Sequence, residues 1–222
     1  MKTNYWHQKW ERGDIGFHEN EANPLLIEHF EKLNLAKGSR VFLPLCGKSR
    51  DAAWLLASGY RVGGADLSEL AITALFKELG LEPEISKVGE LTRYSAKDID
   101  MLVGDIFDVS AKHLGPINTI YDRAALVALP TFIRLQYAAH LMNITNAAPQ
   151  LLIAYEYNQL LMDGPPFSVN EIEVKRHYGA AYQLKSVEIK NVAGGLKGKV
   201  ASTETVWLLQ KTNKQGEIYA RY

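Results

Sequence analysis

The stretch RVFLPLCGKSRDAAWLLASGYRVGGAD, residues 40–66, decides the fold of this chain. It has the pattern of a buried strand, a tight turn, a helix and a second strand that ends on Asp66. A dinucleotide-binding turn carries G-x-G-x-x-G because its backbone must approach a pyrophosphate. Here the turn is PLCGK, residues 44–48, and it holds a single glycine. Asp66 still lies about 20 residues beyond the turn, where an acid holds a ribose diol.

A ribose-binding acid without a phosphate cradle indicates an adenosine cofactor that carries no phosphate. S-adenosylmethionine (SAM) is such a cofactor, and we expect the chain to bind it. A nicotinamide-dependent oxidoreductase is the less favoured alternative, because it requires the missing glycines. Asp66 also has a purely structural interpretation as the N-cap of the following helix, a role that Ser68 can fill in its place.

The patterns on both sides of this stretch alternate between strand and helix. Strands are predicted at residues 41–45, 61–65, 117–121 and 151–157, and around a polar turn within residues 92–104. Helices are predicted at residues 49–58, 68–79, 130–142 and 170–178. Alternating apolar and polar positions predict a C-terminal hairpin at residues 182–190 and 204–210. This order indicates a mostly parallel sheet with helices on both faces and antiparallel strands at its end.

The charge balance argues against two classes of partner. The chain carries 25 Lys and Arg and 25 Asp and Glu, which gives a formal net charge of zero. We therefore expect neither nucleic acid nor an anionic membrane as the main partner. No apolar run approaches the roughly 20 residues that span a bilayer, and the N-terminus lacks a signal-peptide core. The sequence predicts a cytoplasmic protein with a single domain, residues 1–222, and a monomer is expected because nothing demands a dimer.

The chain has one cysteine, Cys46, and six histidines. A single cysteine cannot form an intramolecular disulfide, and no histidine has a sequence relation to Cys46 that indicates a catalytic thiol. The histidines form neither H-x-x-H nor H-E-x-x-H. We therefore interpret Cys46 as a small apolar turn residue and expect no metal site.

In such sheets ligands bind beyond the carboxyl ends of the parallel strands. Asp105, Ile106 and Phe107 follow one strand, where an acid meets the adenine amino group and an apolar neighbour covers the ring. A turn acid beside a core aromatic is the equal alternative. Arg123 ends the next strand beside Asp122. It can bind a cofactor carboxylate or favour an anionic nucleophile, or it can form a structural ion pair with Asp122.

Two tryptophans near the N-terminus, Trp6 and Trp10, are four residues apart and share one face of a helix. Aromatic faces attract cations and stack on flat rings, so both side chains can serve a sulfonium cofactor and a heteroaromatic substrate. The spacing alone favours the simpler interpretation of a helix packed on the core.

Together these motifs resemble the thiopurine S-methyltransferases, particularly the bacterial ones, over most of the chain. The shared residues are Trp6, Trp10, Gly13, Phe17 and His18, RVFLPLCGK at 40–48, ADLS at 65–68, DIFD at 105–108, YDRAALVA at 121–128 and GPPF at 164–167. The PLCGK turn and the YDRAALVA run are the most specific of these. There are departures: Ala124 replaces the glycine of many members, Asp66 the glutamate of vertebrate members, and Asp105 the serine of some members.

The resemblance implies a class I SAM-dependent methyltransferase fold, which is α/β and Rossmann-like with a mostly parallel seven-stranded sheet and a C-terminal antiparallel hairpin. It implies cofactor contacts at Trp10, Leu45, Asp66, Asp105, Ile106 and Arg123. It places Phe17 and Phe167 at lid positions near the acceptor, as substrate-binding residues. Residues 1–35 are then an N-terminal helical extension that serves as a lid.

The implied activity is methyl transfer from SAM to the sulfur of small aromatic or heterocyclic thiols such as thiopurines, with selenium or tellurium compounds as further acceptors. In-line transfer from an activated donor requires alignment and exclusion of water, and no covalent enzyme nucleophile. Arg123 is the candidate for stabilising the acceptor thiolate. A non-catalytic SAM-binding sensor or interaction module is the alternative function.

Overall fold

The computed structural model describes residues 3–16 and 18–212. The α-helices are α1 (Thr3–Glu11), α2 (Pro24–His29), α3 (Arg50–Ala57), α4 (Glu69–Leu79), α5 (Ala111–Leu114), α6 (Thr131–Ile144) and α7 (Glu171–Tyr178). The strands are β1 (Arg40–Pro44), β2 (Arg61–Asp66), β3 (Glu84–Val88), β4 (Leu91–Ala96), β5 (Ile99–Val103), β6 (Thr119–Arg123), β7 (Gln150–Tyr157), β8 (Tyr182–Asn191) and β9 (Ser202–Lys211).

The strands of this described part form one sheet in the order β3-β4-β5-β2-β1-β6-β7-β9-β8. Its five central strands, from β5 to β7, run parallel to one another. Two antiparallel strands flank them on each side, and the predicted C-terminal hairpin is confirmed as β8 and β9. The predicted count of seven strands is wrong, since the sheet has nine. Beyond the strands located in the sequence, the structure adds β3, which pairs with β4 at the edge of the sheet.

Strand β3 escapes detection because it is an edge strand with almost no buried side chain. Its sequence EISKV is exposed at four of five positions, so it lacks the apolar alternation that predicts strands. The hairpin of β4 and β5 around a polar turn is confirmed. The short helices α2 and α5 were not predicted either, because six and four residues are too few to show a helical period.

Alternating side chains of β1 show how the sheet is covered on both faces. Val41 and Leu43 pack into a cluster with apolar residues of α2, α3 and α4, whereas Phe42 packs into a second cluster with α6 and α7. Successive strand residues point to opposite faces, so a wholly apolar strand requires two apolar layers. Burial of each such side chain contributes about 1.5–3 kcal/mol to folding.

The predicted helix boundaries are set by capping residues. Ser49, Ser68 and Asn170 are N-caps whose side chains accept backbone N–H groups of α3, α4 and α7. Gly80 ends α4 in the left-handed conformation, with φ of +68°. Pro130 is the N-cap of α6 and not part of its first turn. These caps fix where each helix begins relative to the strand that precedes it.

A group of ionisable side chains lies away from the strand ends, at Glu28, His29 and Glu188. Buried His29 contacts Glu188 through Nε2, and Lys32 Nζ lies 2.6 Å from His29 Nδ1. An ammonium at Nδ1 fixes the imidazole proton on Nε2, where it is donated to Glu188. This arrangement favours a hydrogen-bonded tie between α2 and β8 over metal ligation by His29.

Among the described helices, none is both long enough and apolar enough to cross a membrane.

Candidate active site

A cavity of about 660 Å³ lies beyond the carboxyl ends of β1, β2, β5 and β6. It opens at β1, where successive strands are added first on the β2 side and then on the β6 side. This reversal is where open α/β sheets bind their ligands. All six side chains that the sequence assigns to the cofactor line the cavity: Trp10, Leu45, Asp66, Asp105, Ile106 and Arg123.

The turn after β1 is held in an unusual backbone conformation. Leu45 and Gly47 have φ of +47° and +54°, a region in which leucine is strained by roughly 1–3 kcal/mol. A Cβ atom on Gly47 would lie 2.8 Å from Cζ2 of Trp10, closer than real Cβ contacts allow. Glycine is therefore required here both for its φ and for the approach of the indole, and α1 closes over the turn.

Asp66 connects the ends of β1 and β2. Its Oδ2 accepts the Gly47 backbone N–H at 2.7 Å, and its Oδ1 accepts the Ser68 backbone N–H at 2.8 Å. The N-cap of α4 is Ser68, whose Oγ accepts the Ala71 N–H, so the interpretation of Asp66 as that N-cap is wrong. Burial raises the pKa of the Asp66 carboxyl, and the hydrogen bonds from the Ser68 and Gly47 N–H groups lower it by a smaller amount. A carboxylate has about four acceptor sites, so two remain for a ligand.

The segment after β5 forms one wall of the cavity. Exposed Asp105 accepts the Phe107 backbone N–H at 3.0 Å and caps a short 3₁₀ helix, Ile106–Asp108. Ile106 is buried, and its carbonyl oxygen lies 2.8 Å from Nε2 of His140 on α6. The turn-acid interpretation of Asp105 is thus confirmed, and Asp105 also lines the cavity.

Arg123 at the end of β6 pairs with Glu19 and not with its neighbour Asp122. Asp122 is fully buried and accepts the Tyr137 hydroxyl at 2.8 Å and the Leu126 N–H at 3.0 Å, so the structural Asp122–Arg123 ion pair is wrong. Burial lowers the pKa of Arg123, but Tyr155 and Glu19 outweigh it and raise the pKa above its usual value. Its Nε is buried without a partner among the described residues.

Two loops form a further part of the cavity wall. Pro165 and Pro166 line it, and Lys197 of the β8–β9 loop donates a hydrogen bond from Nζ to the Pro165 carbonyl at 2.7 Å. Phe167 lies behind this wall, with its ring 5.5 Å from the guanidinium carbon of Arg134. The prolines, and not Phe167, form the cavity surface here. Phe17, the other predicted substrate residue, lies outside the described residues.

The N-terminal helix is also part of the cavity wall. Helix α1 is present, and both Trp6 and Trp10 line the cavity. The interpretation of these indoles as core packing alone is therefore wrong. An amphipathic spacing cannot distinguish a helix that faces the core from one that faces a ligand cavity, because both bury the same apolar stripe.

Comparison with known proteins decides the family. A family model described as "Thiopurine S-methyltransferase (TPMT)" matches residues 1–212. The chain belongs to the thiopurine S-methyltransferase family. A "Thiopurine S-methyltransferase" of Xanthobacter autotrophicus is 50% identical over 212 residues, which cover 95% of this chain and 100% of that protein. One of Teredinibacter turnerae is 52% identical over 211 residues, which cover 95% and 98%.

Solved structures agree on the fold of this thiopurine S-methyltransferase family member. A SAM-dependent methyltransferase from Anabaena variabilis superposes with a TM-score of 0.66 at 14% identity, covering 95% of each chain. A 1,6-didemethyltoxoflavin-N1-methyltransferase from Burkholderia thailandensis, solved with S-adenosylhomocysteine, gives 0.64 at 15%, covering 94% of this chain and 87% of that one. The predicted methyltransferase fold is confirmed. The chain is a SAM-dependent S-methyltransferase, as its family membership shows.

Three cavity residues of this S-methyltransferase were not predicted from the sequence. Glu19 lies in a polar loop, and Tyr155 lies within an apolar strand where nothing marks it as facing a ligand. Lys197 lies in the Gly-rich loop between β8 and β9, and Leu196 and Val200 of this loop pack against Tyr157. Side chains alternate between the two faces along β7, so Tyr155 and Tyr157 lie on the same face of the sheet. This alternation is the only feature of the sequence that could have indicated Tyr155.

Cys46 is expected to take no part in the reaction. Burial raises the pKa of the Cys46 thiol, and the nearby Asp66 carboxylate raises it further, so no thiolate forms at neutral pH. We expect Cys46→Ala to change kcat/KM by less than about threefold, well under 1 kcal/mol of activation free energy. Steady-state kinetics with the alanine variant test this, and loss of most activity in a folded variant would show that the thiol takes part in the reaction.

Proposed function

We propose that this enzyme methylates the sulfur of small aromatic or heterocyclic thiols, thiopurines among them. The observation that carries the proposal is the position of Arg123. A largely buried cation lines the same cavity as the ribose-type acid Asp66 and the prolines Pro165 and Pro166. Flat apolar walls suit an aromatic ring, and a cation suits the anionic sulfur on that ring.

We propose that the cofactor lies along the strand ends from Trp10 to Arg123. Asp66 has two unused acceptor sites for the ribose hydroxyls, and the single-glycine turn leaves no cradle for a phosphate. Ile106 is positioned to cover the adenine, with Asp105 beside it. Trp10 and Leu45 line the cavity at the first turn, and Arg123 offers its unpaired Nε–H to a carboxylate. The residues present therefore fit SAM.

The protein's part in the reaction is alignment, charge and exclusion of water. SAM, when bound, supplies a methyl group already activated by its sulfonium sulfur. Arg123 stabilises the thiolate form of the acceptor, and the apolar walls hold its ring. Helix α1 and the Pro165–Pro166 loop cover the cavity and keep water from the reacting atoms. Residues 1–35 form the N-terminal extension of a single domain, in which α1 acts as the lid and α2 packs into the core. The family pattern assigns Phe17 and Phe167 to the acceptor, with Phe167 behind the proline wall.

The proposed preference for a sulfur acceptor is tested with a matched panel of small molecules. Thiophenol, phenol and aniline differ only in the nucleophilic atom, and a thiopurine and a selenol extend the series toward heterocycles and heavier chalcogens. We expect S-adenosylhomocysteine to form with the thiol, the thiopurine and the selenol, and not with phenol or aniline. Turnover of phenol or aniline at rates comparable with thiophenol would overturn the proposal. Gel filtration checks the monomer that we propose alongside it.

A further inference from the structure

The cavity contains a carboxylate, Glu19, whose ion-pair partner among the described residues is Arg123. Glu19 lies between α1 and α2 and lines the same cavity as Arg123, Pro165 and Pro166. The Glu19 side chain is 43% exposed, whereas the Arg123 side chain is 12% exposed. Arg123 is thus neutralised from the solvent side by a group that water can reach. An anion that binds the Arg123 Nη2 donor contacted by Glu19 competes with this carboxylate.

Other polar groups near Arg123 are already engaged or remain neutral. Asp51 accepts the Asn23 N–H at 2.7 Å and the Tyr121 hydroxyl at 3.0 Å, and it is almost fully buried. Burial raises the pKa of Tyr155 to about 12, so its hydroxyl keeps its proton at neutral pH. Of Asp51, Tyr155 and Glu19, Glu19 is the group that can take a proton from an acceptor and pass it to water.

We propose that Glu19 is the base that deprotonates acceptors which enter the cavity as neutral thiols. This inference rests on the proposed function. The S–H bond breaks, the electron pair stays on sulfur, and the proton moves to the Glu19 carboxylate. Arg123 exchanges its ion pair with Glu19 for one with the new thiolate. The cavity therefore holds the same net charge before and after the exchange.

The groups that face Glu19 favour this exchange. Burial raises the pKa of the Glu19 carboxyl, Asp51 and Glu204 raise it further, and Arg123 and a hydrogen bond from Asn23 lower it. Tyr121 and Tyr155 also face Glu19, and burial raises the pKa of both, so they stay neutral. When Arg123 turns to the thiolate, its lowering influence on Glu19 is reduced. The pKa then rises, which favours the protonated carboxyl while the thiolate is bound.

The consequence concerns which thiols are accepted. A thiol that is ionised in water needs only Arg123, whereas a weakly acidic thiol also needs a proton acceptor. Glu19→Gln keeps the shape of the side chain and removes its basicity. We expect its activity toward weakly acidic thiophenols to fall about 100-fold or more relative to its activity toward acidic ones, since a positioned proton-transfer group contributes on that scale. Glu31→Gln, a substitution of an exposed glutamate beyond α2, is the matched control.

Proton stoichiometry provides a readout that does not depend on turnover. A weakly acidic chromogenic thiophenol is bound to the enzyme together with S-adenosylhomocysteine, and its thiolate absorbance is recorded in a dilute buffer with a pH indicator. In the wild type, the thiolate should form without release of a proton to the buffer, because Glu19 retains it. In Glu19→Gln, thiolate formation should release about one proton for each thiol bound, or should require higher pH.

The outcomes separate this inference from the proposed function. Equal proton release by both proteins, with equal loss of activity for acidic and weakly acidic thiols, would reject Glu19 as the base. An intermediate pH profile for Glu19→Asp supports it, because that variant keeps a carboxylate with shorter reach. If the wild type methylates no thiol of any acidity, the proposed function itself fails, whatever Glu19 does.

Discussion

Arg123→Ala is expected to lower kcat/KM for a thiopurine by about 100-fold or more, because the bound thiolate loses its cation, and truncating one member of a desolvated, hydrogen-bonded charge pair costs about 2–5 kcal/mol. The guanidinium is the cation that stabilises the thiolate, and it is also the proposed partner of the cofactor carboxylate. Its loss leaves Glu19 without its ion-pair partner in the cavity. The measurement is kcat/KM across pH, together with the Kd of S-adenosylhomocysteine.

The two proposed roles of Arg123 separate in this experiment. A raised Kd reports the cofactor role, and a shift of the pH profile to higher pH reports the thiolate role. Arg61→Ala is the control, because Arg61 begins β2 at the opposite end of the sheet and is exposed. Arg123 has no role with the thiolate if Arg123→Ala retains wild-type kcat/KM at every pH while its affinity for S-adenosylhomocysteine is unchanged.

Asp66→Ala is expected to weaken S-adenosylhomocysteine binding by about 100-fold, because hydrogen bonds to a charged group contribute about 1.5–3 kcal/mol each. The substitution removes the proposed ribose acceptor. It also leaves the Gly47 and Ser68 backbone N–H groups without the carboxylate that they contact at 2.7 and 2.8 Å. The turn after β1 therefore loses its tie to β2. Isothermal titration calorimetry measures the binding constant directly.

Asp66→Asn distinguishes loss of the ligand contact from loss of the turn. Its single carbonyl oxygen can accept only one of the two N–H groups, so we expect it to bind more weakly than wild type and to unfold earlier. Asp98→Asn, in the exposed turn between β4 and β5, serves as the control. A Kd within about threefold of wild type for folded Asp66→Ala, less than 1 kcal/mol, would remove Asp66 from the cofactor site.

The parts of the fold that were predicted correctly are those whose residues fit only one structural role. Val41 to Leu43 are apolar on both faces and can lie only in a buried central strand. Ser68 before α4 and Gly80 after it mark that helix by hydrogen bonding and by φ. The position of Asp66 in the cavity was predicted from its distance to the turn, because an acid that binds ribose lies about 20 residues beyond the first turn.

The parts that were missed depend on packing between distant segments. Strand β3 is held by pairing with β4 and shows no pattern of its own. Glu19 contacts Arg123, which is 104 residues away in the sequence, so no local spacing could have predicted this contact. Trp10 faces Gly47 because of the path of α1 over the first turn. Ala124 has φ of +65°, which explains why glycine suits this position in many members of the family.

The most direct test of the account follows the methyl group itself. The enzyme is incubated with SAM labelled with ¹³C in its methyl group and with a thiopurine, and the product is examined by NMR and mass spectrometry. We predict one S-methyl thiopurine for each S-adenosylhomocysteine formed, with all of the label on sulfur. Tight SAM binding without transfer to any thiol or chalcogen acceptor, or label found on a ring nitrogen, would contradict the account.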